Sequence, residues 1–409
     1  MNLYKKTMVF AIIGLFIGAG VVPSITDANE TFHAKGNTIT VDNEGDGDYT
    51  SIQDAIDISQ SGDTILVYSG TYNEHIVIDK QITIEGIPEE LGAGEDIGNP
   101  IINGKESKED IVTILSELVE LRNFSIKNSG FDSDYEVYFA GIKIFSNFCK
   151  ISKNEIFNNM AGIYLDSSTK ENIIIENDIK SNIYGIFLIN SSYNYFYGNN
   201  ITSSEIIGIW IHSNSHNNKI IRNLFEDNWK GMLITTKSHK NNISENSFIQ
   251  NKQLGISIGN SSNSKILYNY IQNSPTAIGI LSGAYTENTI FYNNIILFGL
   301  IGIQLLQTDN CEITSNYFIN CGMSLEIVLS PKNNIQQNNL GGLLNCHLIN
   351  SLGNNWNRNF WTGHPTSFPP KFIVGMFYIM YPIKLLAIPY LNIDLLPQTR
   401  PYDIELPWK

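Results

Sequence analysis

Residues 208–228 read "GIWIHSNSHNNKIIRNLFEDN". One Trp, two His, two carboxylates and five Asn stand within this stretch. By itself it suggests an active site. Beside its neighbours it is one rung of a repeat, and a repeat must be sought before single residues are weighed. Glycines that open apolar pairs recur in "GIKIF" at 141, "GIYLD" at 162, "GIFLI" at 185, "GIWIH" at 208, "GMLIT" at 231, "GISIG" at 255, "GILSG" at 279 and "GIQLL" at 302. A second column is Asn154, Asn177, Asn199, Asn223, Asn246, Asn269, Asn293, Asn316 and Asn338. Five residues before each lies Cys149, Asn172, Asn194, Asn218, Asn241, Ser264, Asn288, Cys311 or Asn333. A looser third column, five residues after, holds Asn159, Asn182, Ser204, Asn228 and Asn251, and Phe298 breaks it.

The physics of such a period names a shape. Gly-Ile-x-Ile is a short strand with one inward face, and Ile151, Ile174, Phe196, Ile220, Ile243, Ile266, Ile290 and Ile313 make another inward column. Strands this short cannot stand alone. Stacked coil on coil they form parallel sheets around a continuous apolar core. Asn at the corners tolerates left-handed backbone and stacks its amides into ladders. A leucine-rich horseshoe needs LxxLxL and a helix in each repeat, and neither is present. The expectation is an all-β, right-handed parallel β-helix of roughly 23-residue coils.

These repeats resemble the right-handed β-helix family that includes carbohydrate-binding proteins, sugar hydrolases and NosD-type copper-maturation proteins. The segment "DYTSIQDAIDISQSGDTILVYSGTYNEHIVIDKQITIEG" at 48–86 resembles their entry segment. It implies a capping helix around Ile52, Ala55, Ile56 and Ile58, with the first coil beginning at "SGDTILV". The tail resembles those of archaeal secreted β-helix proteins. The division expected is 1–28 signal peptide or anchor, 29–63 N-terminal cap, 64–354 β-helix and 355–409 C-terminal cap.

Lys5 and Lys6 precede an apolar run from Met8 to Val22, a signal-peptide layout with cleavage near Ala28. Uncleaved, the run would anchor the chain to a membrane; either way the remainder is extracellular or at the cell surface. The net charge of −14 leaves no basic stripe for phosphates, which excludes nucleic acid as a partner. The four cysteines form no CxxC; Cys321 and Cys346 lie about one repeat apart and could pair. The apolar tail "KFIVGMFYIMYPIKLLAIPYL" raises a membrane span, against which Pro382 and Lys384 argue; an extended cap on the last coil is the alternative. Sequons occur at Asn29, Asn123, Asn190, Asn200, Asn242 and Asn260, so glycosylation is permitted.

Each chemical candidate is judged by its column. Lys153, Glu155, Glu176 and Asp178 form an outward patch that is either a catalytic carboxylate set or a solvated charged face. His216 and His239 stand eight residues after their glycines and should stack, with His212 nearby, as a zinc or copper candidate in a column reading Lys170, Tyr193, His216, His239, Asn263. The column two after each glycine reads Lys143, Tyr164, Phe187, Trp210, Leu233, Ser257, Leu281, Gln304. Tyr164, Phe187 and Trp210 thus form an aromatic stripe that either stacks sugar rings or is covered by a loop or the tail. The reading is a non-catalytic module that binds a polysaccharide or cell-surface glycan, with no cofactor. The alternatives are a polysaccharide lyase, hydrolase or epimerase, and a NosD-like copper-maturation accessory.

Overall fold

In Gly-Ile-Trp-Ile, alternation sends Ile209 and Ile211 to one side and Trp210 to the other. In the computed structural model both isoleucines are fully buried. Their strand, Ile207–His212, pairs in parallel with Tyr184–Ile189 one coil before and Lys230–Ile234 one coil after. Residues 36–404 are described, apart from 93, 132–137, 167, 281–285, 364–370, 382–383 and 395. The signal-peptide expectation for 1–28 lies outside them.

Each coil has three short strands, here Ile207–His212, Lys219–Ile221 and Leu224–Glu226. Each of the last two turns one large side chain inward, Ile220 and Phe225. Phe225 stacks on Phe248 of the next coil at 4.5 Å. One face of the resulting solenoid is a 13-stranded parallel sheet. The interior apolar core runs from Val41 to Ile373. This is the parallel β-helix expected from the repeat.

The corners are set by side chains that serve the coil before. Asn223 Oδ1 accepts from the backbone N–H and the Nδ2 of Asn199, both at 2.9 Å. Its own Nδ2 donates to Phe196 O and to Asn246 Oδ1. The left-handed residue at this corner is not the Asn, as expected, but the one preceding it: Lys153, Glu176, Gly198, Arg222 and Glu245 all have φ between 56° and 63°. That bend aims the following side chain inward, so the Asn is selected for its amide rather than for its backbone.

Five column assignments shift near 280. Register pairs Ile256 with Ile278 and Ser257 with Gly279, so Ala277, not Gly279, takes the coil glycine's place. The outward column then holds Gly279 rather than Leu281. The ladder runs Asn269 to Asn294 to Asn316, replacing Asn293, and Phe291, not Ile290, is the buried inward residue. Thr289, buried, stands where Asn288 was expected. The coil from Ala277 to Gly302 is longer than its predecessor, and glycine counting cannot locate the extra residues.

Both ends are closed. The helix Ile52–Ile58 is capped by Ser51 and covers the first coil with Ile52, Ala55 and Ile56, whereas Ile58 faces out at 59% exposure, contrary to expectation. Before the helix, Thr38–Val41 already pairs with Thr64–Val67, so stacking starts upstream of "SGDTILV". At the other end Asn355–Asn357 still pairs with the coil before it. Two antiparallel strands follow, Lys371–Tyr381 and Lys384–Asp394. The apolar tail is therefore a hairpin, and no helix among the described residues is long and apolar enough to cross a membrane. Asp394, fully buried, ends the ladder: its carboxylate accepts from Asn359 N (2.9 Å), Asn359 Nδ2 (3.0 Å), Arg358 N (3.0 Å) and Trp361 Nε1 (3.0 Å).

Candidate functional site

Tyr164, Phe187 and Trp210 do line up on successive coils, in register. Tyr164 stacks on Phe187 at 5.1 Å and Phe187 on Trp210 at 4.7 Å. The stripe is not open, however. Tyr164 is 6% exposed and Phe187 1%. Tyr138 closes over them, its ring 6.4 Å from Tyr164 and 5.0 Å from Phe187, and Tyr184 packs from the side. Lys143 sits over Tyr164 at 4.9 Å and pairs with Asp110. Burial also pushes the Tyr164 hydroxyl above the usual tyrosine range. The expected three-ring platform is thus reduced to its last member, because an outward apolar stripe collects its own cover.

Trp210 remains partly exposed. Its Nε1–H donates to Thr235 Oγ1 at 3.0 Å, and the same hydroxyl stands 3.0 Å from His212 Nδ1. A hydroxyl that accepts from the indole has its own proton free for the imidazole. Trp210 and His212 are 4.8 Å apart, ring to ring. The result is an aromatic edge held by Phe187 beneath and by Thr235, with Thr236 Oγ1 also 3.2 Å from His212 Nδ1.

His216 and His239 stack as expected, 5.4 Å apart and 6° from parallel. Their column differs: Lys170 bridges to Ser192, not Tyr193, and Ser262 follows, not Asn263. Ser192 Oγ accepts from His216 N (2.9 Å), His216 Nδ1 from His239 N (3.0 Å), and His239 Nδ1 from Ser262 N (2.9 Å). Imidazole here does the work of a serine hydroxyl. With Nδ1 committed to a backbone donor, the neutral ring carries its proton on Nε2. No lone pair is left for a metal. Burial and the neighbouring cations lower both pKa values: His216 feels His239 and Lys240, and His239 feels Lys240 and Lys237. Among the described residues no three His, Cys, Asp or Glu could hold a metal ion together.

Glu155 and Asp178 are neighbours in register. Lys180, overlooked in the sequence, bonds Glu155 and lies 3.5 Å from Asp178. Ser125 donates to Glu155 and Asn200 to Asp178. The Lys180 ammonium holds the Glu155 carboxyl below the usual glutamate range. Lys153 and Glu176 occupy left-handed corner positions beside them. Lys180 sits two residues after Asp178 on the same outward face, which was the available signal. All four cysteines are free thiols, so the Cys321–Cys346 pairing does not form. Cys346 pairs in register with Leu325, and Cys321 bonds the corner carbonyls of Ile296 and Ile319.

Residues 31–254 match the family described as periplasmic copper-binding protein (NosD), and 228–355 match the right-handed β-helix region. No curated protein sequence matches this one. Among solved structures, the A-module of the Azotobacter vinelandii mannuronan C-5 epimerase AlgE6 superposes with a TM-score of 0.59 at 13% identity, covering 74% of this chain and 91% of that one. XylC in complex with xylose gives 0.56 at 12% identity, covering 82% and 87%. The Dettilon tailspike protein gives 0.50 at 15% identity over 69% of this chain, which spans only 62% of the tailspike. At these identities the likeness is one of fold.

Proposed function

We propose, for a chain that belongs to the NosD family, that it is an exported right-handed β-helix that binds glycan without cleaving it, through the edge formed by Trp210 and His212. The family's description as periplasmic supports export. The observation that carries the binding reading is the partial exposure of Trp210 on a covered, rigid aromatic base. A ring fixed from below and from its N–H loses little freedom when a sugar face stacks on it. Ser213 and Asn214, next along the chain, offer polar groups for hydroxyls. Solved β-helices named for polysaccharide chemistry, the mannuronan epimerase module among them, make glycan the ligand class to screen.

The catalytic alternative is less favoured by the carboxylates. A general acid needs a raised pKa. Glu155 is held low and already bonded to Lys180. Copper, named in the family's description, does not fit the histidines, since His216 and His239 each spend Nδ1 on a backbone N–H.

A glycan array on the purified protein, followed by titration of any hit, tests this. Trp210→Ala should weaken binding by about 1–3 kcal/mol and lower stability by only about 1 kcal/mol. Phe187→Ala, emptying a buried site, should cost about 3–5 kcal/mol of stability. A Trp210→Ala protein that binds its glycan unchanged would end the proposal, as would an array with no hit.

A further inference from the structure

The N-terminal end holds a pair of carboxylates that none of the faces above uses. Asp42 follows the strand Thr38–Val41 and is fully buried. Its Oδ2 accepts from the backbone N–H of Gly45 (2.9 Å) and Asp46 (3.0 Å). Its Oδ1 is buried and has no hydrogen-bond donor. Glu90 is the group beside it, its side chain within hydrogen-bonding reach of that of Asp42. Glu90 is held in place, since its oxygens accept from Leu91 N (3.0 Å) and Asp96 N (3.2 Å).

A third carboxylate is close. A methyl group placed on Gly94 would lie 2.6 Å from Glu44 Oε2 and 2.9 Å from Glu90 Oε1, so both oxygens crowd one point. One on Gly92 would lie 1.9 Å from Asp46 Oδ2. The two glycines let the backbone of this loop press against the acidic turn 42–46. A buried carboxylate oxygen without a donor, set against a second carboxylate, favours a cation between them.

The structure assigns this place, we propose, to a divalent oxygen-preferring cation, Ca²⁺ by chemistry, held by Asp42 Oδ1 and Glu90 with Glu44 at the rim. No three acidic side chains are set for a metal among the described residues, so the two carboxylates are its anchors and water supplies much of the shell. Ca²⁺ accepts such irregular, partly aqueous oxygen sets, whereas Mg²⁺ demands near-ideal octahedral geometry. The bound ion ties the turn that follows the first strand to the loop carrying Glu90.

The test is calcium titration of the chelator-stripped full protein at neutral pH, with binding read by calorimetry and unfolding by a thermal melt. About one equivalent should bind and the melting temperature should rise. Glu90→Gln should abolish both effects while the circular dichroism stays that of a β-helix. Asp42→Asn retains an oxygen for the turn and should weaken binding without unfolding the chain. No bound calcium together with an unchanged melt overturns the proposal, and so does binding that survives Glu90→Gln. A melting temperature that ignores calcium but rises on mild acidification assigns the pair a shared proton instead, and also overturns it.

Discussion

Two columns run the length of this solenoid with one residue per coil, and they obey different rules. The corner column, Asn154, Asn177, Asn199, Asn223, Asn246, Asn269, Asn294, Asn316, Asn338 and Asn359, is invariant and nowhere more than 2% exposed. The outward column reads Lys143, Tyr164, Phe187, Trp210, Leu233, Ser257, Gly279, Gln304, Glu326 and His347. Each corner Asn is both donor and acceptor to its own copy, so a change at one coil leaves groups unpaired in three. An outward residue answers only to whatever lies over it. Repetition therefore marks mutual dependence, and variety marks freedom that function can use.

The largest test of that contrast is register. Deleting 208–230 removes one whole coil, from Gly208 to Lys230, and should leave a shorter folded protein with unchanged circular dichroism. Deleting only 208–219 shifts every downstream column off its partner and should yield aggregate. Equal solubility of the two deletions would show that the columns do not depend on one another.

Next in size is a single corner. Asn223→Leu leaves the N–H of Asn199 and the carbonyl of Phe196 without partners. A loss of about 3 kcal/mol in denaturant unfolding is expected. Asn218→Ser should cost less, since the same corner column already tolerates Ser264, buried with its hydroxyl unpaired. A corner that tolerates leucine would belong with the outward columns instead.

The smallest effect concerns the histidine stack, an outward column that has acquired a corner's habit. Both pKa values are lowered in the folded chain from 6.5. The unfolded chain therefore binds more protons as pH falls. The stacked neutral rings contribute their stability above the unfolded pKa and lose it as pH drops from about 6.5 toward the folded values. Wild type should lose a few degrees of melting temperature between about pH 7.5 and pH 5. His216→Asn with His239→Asn should flatten that slope, and an unaltered slope would assign the acid sensitivity to other groups.

Much of this was legible in the chain. The Gly-Ile-x-Ile period and the Asn column specify a parallel β-helix without any tertiary information, because in a solenoid each residue's partner is the same residue one period on. Even the stacking of His216 on His239 follows from equal spacing. The period loses its grip where a coil changes length: around Ala277 and Asn294 the glycine and asparagine counts each slip, and only the observed pairing restores them. The cover on the aromatic stripe was not legible either. Tyr138 lies in the segment between the strands Ser125–Gly130 and Ala140–Ile144, outside the glycine and asparagine columns, and nothing in its spacing ties it to Phe187.

The amino-acid sequence by itself determined the coil, its core and its ladders, since those depend on contacts between repeats of one pattern. The tertiary structure alone decided which outward groups are available. It covered Tyr164 and Phe187, left Trp210 at the edge, committed the histidine Nδ1 atoms to backbone donors and set Asp42 against Glu90. The cover and the carboxylate pair depend on loops and end segments whose places no period encodes, because their partners occur once; the histidine bonds follow the period, but which ring nitrogen meets the backbone does not.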